Sequence, residues 1–496
     1  MKTPFLGGAY ELRSHPLASQ TLINLYPEAN QSVAIGDQYP SGQVGALIGT
    51  PGLVSASTAG LPSNVGVSGE GRGLTYAGNG YIYAVVGKGV YLISGNTSTL
   101  VGNLSTTTGR VSMVQNLTQV GIADLNGLYV TTTGNAASGL TGPIANGPSG
   151  SGIAPPILGY MDGYGIFTTS SLSNQFGITA IDDFTTINAL NVASAEALPD
   201  ALISVVTTQR EAWFLGLSTA EIWTDTGAAS FPFERIPGGV ISTGCAAPFS
   251  AIYAEGSVVW VAQDPNDHIR VVRSVGYQLE TISNQHIDRL FRDYDQAGVL
   301  FNTCWAYAHT VDGHTFYVIN VPGADVTWAV DLTNKPYRWH RRAYQDNNGV
   351  LHGEIVGAAS GHLALDKANG NLYYIDPTTY THNGQPIYRE RTWPLTSEAE
   401  MRRIRVDRLE VSAETGVGNE TGTDSNPLAC LEMSFDGGQS FGKSRYQPLG
   451  KVGARNTRML WRKNGMGRRP VARWSTNAQV KISLLGANVD ASVLSQ

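Results

Sequence analysis

The stretch Leu74-Thr75-Tyr76-Ala77-Gly78-Asn79-Gly80-Tyr81-Ile82-Tyr83 contains two short runs of aromatic and β-branched residues around an Asn-Gly pair. Asn-Gly between such runs is a strong signal for a β-hairpin, because a type I′ turn needs a positive φ at both central residues. The arrangement recurs as far as about residue 388. Its turns are marked by Asn79, Asn126, Asp162, Gln209, Glu255, Asp312 and Asn369. The chain is therefore predicted to consist largely of antiparallel hairpins.

Successive markers are 47, 36, 47, 46, 57 and 57 residues apart, an average of about 48. The four short strands of a propeller blade occupy about 40–50 residues, and radial repetition protects the sheet edges. We therefore predict an all-β chain with a β-propeller of six or seven blades. Two stacked β-sandwiches would give a similar period and remain the alternative, because the repeats are divergent and carry no Trp-Asp or kelch signature.

Three regions are expected along the chain. Residues 1–68 are predicted to form an N-terminal extended segment and first strands that pack on the propeller. Residues 69–392 are predicted to form the propeller platform, and residues 393–496 an Arg-rich domain resembling a β-sandwich. Within the last region, short strands are predicted at 409–411, 431–433, 480–482 and 484–485.

One helix is predicted among the strands, over residues 284–294. Ser283 and Asn284 are candidate caps at its start. An apolar stripe follows at helical spacing: Ile287, Leu290, Phe291 and Tyr294. We expect this stripe to pack on a blade as part of the core.

The composition is globular and rich in turns. Of the 496 residues, 42% are hydrophobic and 15% are charged, with 58 Gly and 23 Pro, which excludes collagen, coiled coil and disorder. The formal net charge of −6 argues against generic nucleic-acid binding through a basic patch that covers the whole protein. The sum hides an asymmetry, because 17 of the 33 basic residues lie in residues 389–496.

Few residues are candidates for disulfide formation, metal binding or catalysis. Cys245, Cys304 and Cys430 are far apart and form no C-x-x-C motif, so neither a disulfide framework nor a zinc site is predicted. The nine His residues are scattered without the spacing of metal ligands. Residues 1–8 are not followed by an apolar signal region, and no run approaches the roughly 18 apolar residues of a membrane span. We expect no catalytic residue, metal, cofactor or membrane insertion.

The segment 441–481 contains eleven basic residues and no Asp or Glu. Trp461 and Trp474 are interleaved with them, which indicates folded strands rather than a free basic tail. Two readings remain open: contact with acidic surface on a neighbouring subunit, which is favoured, or contact with nucleic-acid phosphate, which would depend steeply on salt. The candidate subunit or adaptor interface comprises Arg402, Arg403, Arg405, Arg455, Arg458, Arg462, Lys463, Arg468 and Arg469.

Two motifs overlap at residues 434–444. Gly437–Ser444 satisfies the pattern G-x-x-x-x-G-K-[ST] of a phosphate-binding loop, but Arg445–Gly450 cannot continue a helix, so nucleotide binding is not expected. Ser434–Phe441 also fits the Asp-box, a hairpin turn in which the Asp accepts hydrogen bonds from turn amides. The Asp-box supports β structure and carries no information about catalysis.

Several segments together resemble the tail-hub proteins of short-tailed phages, also called nozzle or packaged-DNA stabilisation proteins. The resemblance covers most of the chain, in family order. Its segments are 24–28, 49–53, 108–113, 313–318, 327–331, 338–341, 414–418, 436–438, 461–462 and 467–469. The residues after Trp461-Arg462 depart from the pattern, because Lys463-Asn464 stands where relatives have Arg-Leu.

The resemblance implies a non-enzymatic structural protein of the virion tail, assembled in the host cytoplasm. Such a protein forms a homo-oligomeric ring, a hexamer, below the portal adaptor and around the DNA exit channel. The ring helps to retain packaged DNA until genome ejection, and it anchors tail fibres or spikes and a terminal plug. Double-stranded DNA passes through it without sequence specificity.

The competing hypothesis is a carbohydrate-active β-propeller enzyme or a glycan-binding protein. Such an enzyme would need an Arg cluster, a Tyr nucleophile and carboxylates that converge on the propeller axis. Oligomer mass discriminates between the two, since a ring that forms with an adaptor partner indicates the hub.

Overall fold

The computed structural model describes residues 4–11, 19–29, 44–77, 80–124, 126–144, 157–168, 173–195, 200–266, 268–395 and 402–494. Contacts divide the chain into two compact units. The propeller unit comprises residues 55–325 and 355–375, and the sandwich unit comprises residues 1–54, 326–354 and 376–496.

The strands are numbered in chain order. The first six are β1 (Tyr10–Glu11), β2 (Ser19–Gln20), β3 (Leu22–Ile23), β4 (Leu25–Ala29), β5 (Val44–Gly49) and β6 (Gly52–Ser55). Blade 1 contains β7 (Gly71–Tyr76), β8 (Ile82–Val86), β9 (Gly89–Ser94) and β10 (Thr97–Asn103), and blade 2 contains β11 (Ser112–Gln115), β12 (Gln119–Asp124) and β13 (Gly127–Thr132). Blade 3 contains β14 (Leu158–Met161), β15 (Tyr164–Thr168), β16 (Gln175–Ala180) and β17 (Asp183–Ser194).

Four further blades complete the propeller unit. Blade 4 contains β18 (Leu202–Thr207), β19 (Ala212–Gly216), β20 (Ala220–Asp225) and β21 (Phe233–Ile241). Blade 5 contains β22 (Gly244–Cys245), β23 (Ile252–Ala254), β24 (Ser257–Gln263), β25 (Ile269–Val275) and β26 (Gln278–Thr281), and the helices α1 (Gln285–Gln296) and α2 (Leu300–Thr303) follow it. Blade 6 contains β27 (Trp305–Val311) and β28 (His314–Val321).

The remaining strands alternate between the units. The sandwich unit contains β29 (Val326–Asp331), β30 (Trp339–Arg342), β31 (Tyr344–Gln345) and β32 (Leu351–His352), after which blade 7 contains β33 (Val356–Ser360), β34 (Leu363–Asp366) and β35 (Leu372–Asp376). The chain ends with β36 (Thr381–His382), β37 (Gln385–Pro386), β38 (Arg389–Pro394), β39 (Ile404–Ala413), β40 (Leu428–Ser434), β41 (Arg445–Pro448), β42 (Met459–Arg462), β43 (Met466–Gly467), β44 (Val471–Thr476) and β45 (Ser483–Val493).

The seven blades close into a ring through one strand of each, which is the first strand of every blade except blade 5, where it is β23. Each of these strands packs against the corresponding strand of the next blade, in the order β7, β11, β14, β18, β23, β27 and β33. The ring closes where β33 packs against β7. The core lies between adjacent blades, as where Ile82 and Ile93 of blade 1 pack with Leu363 and Leu372 of blade 7. The predicted propeller is therefore confirmed, with seven blades. Burial on both faces of each blade explains why its strands are continuous apolar runs rather than strictly alternating ones.

The hairpin markers lie where the sequence pattern placed them. Six of the seven markers lie in turns that connect paired strands, and the seventh, Asn79, lies outside the described residues. The uneven spacing has a structural cause. In blades 3, 4 and 6 the marker turn joins the first two strands, and in blade 5 it joins β23 and β24, whereas Asn126 and Asn369 join the second and third strands of blades 2 and 7. The two helices lengthen the interval before Asp312.

The predicted helix is confirmed as α1. The side chain of Asn284 caps it by accepting hydrogen bonds from the amides of His286 and Ile287. Ile287 and Phe291 are fully buried, and the helix packs on β25 of blade 5. The apolar stripe is thus core structure, as expected.

The sandwich unit contains two sheets in contact. One runs β29-β30-β3-β38-β44-β40-β41, and the other runs β4-β5-β45-β39-β42 with β43 beside β39. They touch where β30 and β38 meet β4 and where β41 meets β42. Trp461 and Trp474 are fully buried, whereas neighbouring Arg462 is exposed and Arg473 is partly exposed. This alternation is typical of sheets with one face in a core.

The grouping of the chain differs from the linear division expected above. Strands β3 to β5 belong to the sandwich unit, and β3 pairs with both β30 and β38, whereas residues 1–68 were expected to pack on the propeller. Val326–Glu354, expected in the propeller, also belongs to the sandwich unit. A short strand presents backbone groups to any free sheet edge, so its partner cannot be read from local sequence.

One of the strands predicted in the Arg-rich domain does not form. Residues 480–482 are not in a strand, although the neighbouring Leu484-Leu485 is.

Candidate interaction surface

The Arg-rich region forms the outer face of the sheet that contains β39 and β42. In β39 the side chains of Ile404, Val406 and Leu409 are buried, whereas Arg405 and Arg408 are exposed. A β-bulge between Val406 and Arg408 shifts the register and places both arginines on the outer face although they are three positions apart. The sequence prediction missed Arg408 because strict alternation would have turned it inward.

The register brings most of the predicted residues together. Arg408 lies opposite Arg462, and Arg405 lies opposite Met466. The amide of Lys463 donates to the carbonyl oxygen of Asp407 at 2.8 Å. The arginine surface is defined as Arg402, Arg403, Arg405, Arg408, Arg462, Lys463 and Arg468, all of which are exposed.

Three predicted residues lie apart from this surface. Arg455 and Arg458 belong to the opposite end of β42, where the hydroxyl of Thr415 donates to the carbonyl oxygen of Arg455 at 2.7 Å. Arg469 is half-buried and its backbone bridges to Asp436. Six of the nine predicted residues therefore share one surface.

Carboxylates of the same chain neutralise part of the basic charge. Arg405 pairs with Asp407 at 2.8 Å, and Arg408 pairs with Asp490 at 3.2 Å. Arg458 donates two hydrogen bonds to the carboxylate of Glu410, at 2.8 and 2.7 Å, and this lowers the pKa of Glu410. All three arginines are exposed, so solvent screening leaves each pair little contribution to stability.

Other members of the surface keep their charge available. Within the part of the chain that the structure describes, no carboxylate pairs with Arg403, Arg462, Lys463 or Arg468. Lys463 adopts φ +57° in the turn after β42, a conformation that costs a non-Gly residue free energy. These four side chains form a cationic patch suited to carboxylates or phosphates of a partner.

The remaining charges of segment 441–481 are mostly used internally. Arg473 pairs with Glu432 and its guanidinium lies 4.0 Å from the centre of the Phe441 ring. Lys481 pairs with Glu414 at 2.8 Å. The eleven like charges therefore find some of their counter-charge within the chain, which the composition of the segment alone could not show.

The Asp-box prediction is confirmed and the phosphate-loop pattern is excluded. Residues 437–444 connect β40 and β41 and contain no helix. The carboxylate of Asp436 accepts from the amides of Gln439 and Ser440, each at 3.0 Å, and from the hydroxyl of Ser434 at 2.6 Å. These hydrogen bonds hold the pKa of Asp436 well below its usual range.

Reactive groups elsewhere are buried or dispersed. All three cysteines are free and buried, and burial raises the pKa of Cys245 to about 12, which keeps it a thiol. Among the described residues, no group of three or more His, Cys, Asp or Glu side chains could hold a metal ion. Nor does any helix in the described ranges have the length and apolarity to span a membrane.

A β-propeller together with a β-sandwich is the architecture of a family of structural proteins of short phage tails, and the comparison with family models shows that class for this chain. The chain belongs to the family of bacteriophage P22 Gp10, whose members are involved in DNA stabilisation. The model of the family's β-propeller matches residues 1–380, and the model of its β-sandwich matches residues 388–492. No curated protein sequence matches the chain.

Solved structures show distant likeness only. The WD40 domain of Toxoplasma gondii coronin is 10% identical, with a TM-score of 0.36 over 74% of this chain and 89% of that one. The extracellular domain of the putative one component system BT4673 of B. thetaiotaomicron is 10% identical, with a TM-score of 0.41. The match covers 80% of this chain and 48% of that one. Human WBSCR16 is 7% identical, with a TM-score of 0.33, and the match covers 76% of this chain and 98% of that one. At such scores these likenesses add nothing to the assignment.

Proposed function

We propose that this chain forms the nozzle ring of a short phage tail, a hexamer below the portal adaptor that encloses the DNA exit channel. The ring retains packaged DNA until ejection and anchors fibres or spikes and a terminal plug. It is assembled in the host cytoplasm. Membership of the P22 Gp10 family is the observation that carries the proposal.

The distribution of charge supports a DNA channel that is lined by the propeller units of the ring. That unit contains 10 Lys and Arg against 21 Asp and Glu, a formal net charge of −11. Non-specific DNA affinity comes from cationic contacts with phosphates. An acidic propeller therefore lets double-stranded DNA slide without sequence-specific or tight binding.

The arginine surface supports the assembly part of the proposal. Its four cations without a carboxylate partner in the described residues fit acidic surface on a second copy or on the adaptor. A cyclic ring requires such heterologous contact between different surfaces of the same chain. Arginine suits it because its planar fork binds carboxylates in bidentate geometry.

The mass of the assembled particle tests the proposal. The purified chain is mixed with its portal-adaptor partner, and the complex is examined by native mass spectrometry and electron microscopy. We expect a ring with six copies of this chain. A chain that stays monomeric or trimeric with the adaptor and hydrolyses glycans would contradict the proposal and support the enzyme alternative.

A second measurement addresses DNA retention. Virions assembled without this chain are expected to lose their genome, and the released DNA becomes sensitive to nuclease. Complementation with the wild-type chain restores protection. Full retention in particles that lack the chain would remove this part of the proposed function.

A further inference from the structure

The sandwich unit contains a groove that is separate from the arginine surface. It has a volume of about 800 Å³, which is within the usual range of ligand sites. It lies between one face of β40, β41 and β44, the residues Pro386 and Tyr388 that precede β38, and the loop 419–427. We propose that this groove binds a neutral oligosaccharide.

The polar lining of the groove is rich in uncharged amides and hydroxyls. Among the residues that the structure describes, no Lys or Arg lines it, which disfavours phosphate, nucleic acid and other anions. Asn419, Thr421, Asn426 and Asn477 are exposed, and their side chains make no hydrogen bond within the described residues. These groups are both donors and acceptors, and sugar hydroxyls have the same dual character.

The acidic side chains of the groove are already engaged. The carboxylate of Glu432 accepts from the hydroxyl of Ser444 at 2.7 Å and pairs with Arg473 at 2.5 Å. The carboxylate of Asp424 accepts from the amide of Gln479 at 3.1 Å. Glu432 is therefore neutralised by Arg473 and Asp424 is hydrogen-bonded, which leaves little demand for a cationic ligand in the groove.

One side of the groove offers an aromatic surface. Tyr446 of the edge strand β41 is 62% exposed and lies next to Cys430 of β40 in the register. Leu428, also on β40, is 48% exposed. A sugar ring has apolar C–H faces that pack on an aromatic ring while its hydroxyls bind neighbouring polar groups.

The groove floor is held in place by hydrogen bonds, so the site is preformed. The hydroxyl of Tyr388 donates to the carboxylate of Glu390 at 2.5 Å, and the hydroxyl of Thr476 donates to the carbonyl oxygen of Leu428 at 2.8 Å. A rigid polar floor lowers the entropy cost of binding a flexible oligosaccharide. A protein partner is less well matched, since protein interfaces have an apolar centre and a polar rim.

Calorimetric titration with maltopentaose, cellopentaose, chitotetraose and mannopentaose tests the proposal on the full chain. At least one is expected to bind with a Kd of 1 mM or tighter, roughly the strength of a weak ligand site. Tyr446→Ala is expected to weaken binding at least about tenfold, and Asn477→Ala about fivefold, the loss of one hydrogen bond.

Tyr253→Ala is the matched control, because Tyr253 is 44% exposed but belongs to the propeller unit. It should leave binding unchanged, and circular dichroism should show that all three variants are folded. The proposal is overturned if none of the four sugars binds at 10 mM, or if Tyr446→Ala and Tyr253→Ala have equal effects. It is also overturned if Tyr446→Ala abolishes binding of another tail protein while no sugar binds. None of these outcomes bears on ring formation.

Discussion

Arg391 donates from Nε to the carbonyl oxygen of Phe5 at 2.7 Å, across 386 positions of the chain. Its Nη2 donates to the carbonyl oxygen of Pro4 at 3.1 Å and to Oε1 of Gln20 at 3.0 Å. The side chain is fully buried, and burial lowers its pKa to about 9, so it remains charged at neutral pH. A single guanidinium therefore holds the N-terminal segment to β38.

Replacement of Arg391 should release this segment. Arg391→Ala leaves several carbonyl oxygens without a donor and is expected to lower the free energy of unfolding by about 3 kcal/mol. Arg391→Lys keeps the positive charge but lacks the planar guanidinium group. Its free energy of unfolding should lie between those of the wild-type protein and Arg391→Ala. Thermal unfolding and limited proteolysis near the N-terminus measure the effect. The exposed Arg403→Ala is the control, and equal stability of all three variants would disprove the role of Arg391.

Arg110 connects distant blades of the propeller. Its guanidinium lies 4.1 Å from the centre of the Trp305 ring, and its Nη1 donates to the carbonyl oxygen of Gly357. A double-mutant cycle with Arg110→Met and Trp305→Leu is expected to give a coupling energy of about 1–2 kcal/mol from urea unfolding. The more exposed pair of Arg473 and Phe441 is the comparison and should couple more weakly. Coupling near zero for the first pair would refute the cation–π contact.

Stability should fall in mild acid because of His286. This residue is 4% exposed, and burial together with nearby Arg289 lowers its pKa to about 4. Between pH 6.5 and 4 the unfolded chain binds more protons than the folded one, so the contribution of His286 is complete above pH 6.5 and is lost towards pH 4. Urea midpoints at pH 7, 6 and 5 should decline less steeply in His286→Gln. Identical slopes in both proteins would rule out this assignment.

Assembly should depend on the basic outer face of the sandwich unit. Arg462→Glu combined with Arg468→Glu is expected to abolish ring formation, because reversed charge repels acidic partner surface. The isolated double mutant should keep its β circular-dichroism spectrum, since Arg462 and Arg468 are both exposed. Arg210→Glu changes an exposed arginine of the propeller unit and serves as the control. Normal ring assembly of the double mutant would defeat the interface assignment.

Prediction from sequence succeeded where local chemistry dominates. The turns at Asp162, Glu255 and Asp312 could be placed because each has a positive φ followed by Gly, which only a few residue types tolerate. The cap at Asn284 could be placed because its side chain bonds to amides two and three positions away. Such interactions involve neighbours in the chain, and short-range patterns record them.

Prediction was incomplete where the outcome depends on long-range pairing. Arg408 forms an ion pair with Asp490 of β45, and this pairing became visible only with the register of β39 and β45. Arg391 appeared as one basic residue among many, and nothing in its neighbourhood indicated that it contacts Phe5. A parallel pairing such as that of Ile23 with Arg341 likewise has no local signature.

The sequence by itself therefore determined the hairpins, the repeat that closes into blades, the capped helix and the concentration of arginine near the C-terminus. Tertiary structure decided the number of blades and the pairing of β3 with strands more than 300 residues away. It also decided which basic side chains are buried and hydrogen-bonded, which form ion pairs within the chain and which belong to the exposed arginine surface. The physical reason is that turn and cap energies depend on adjacent residues, whereas burial and charge pairing depend on which distant strands meet.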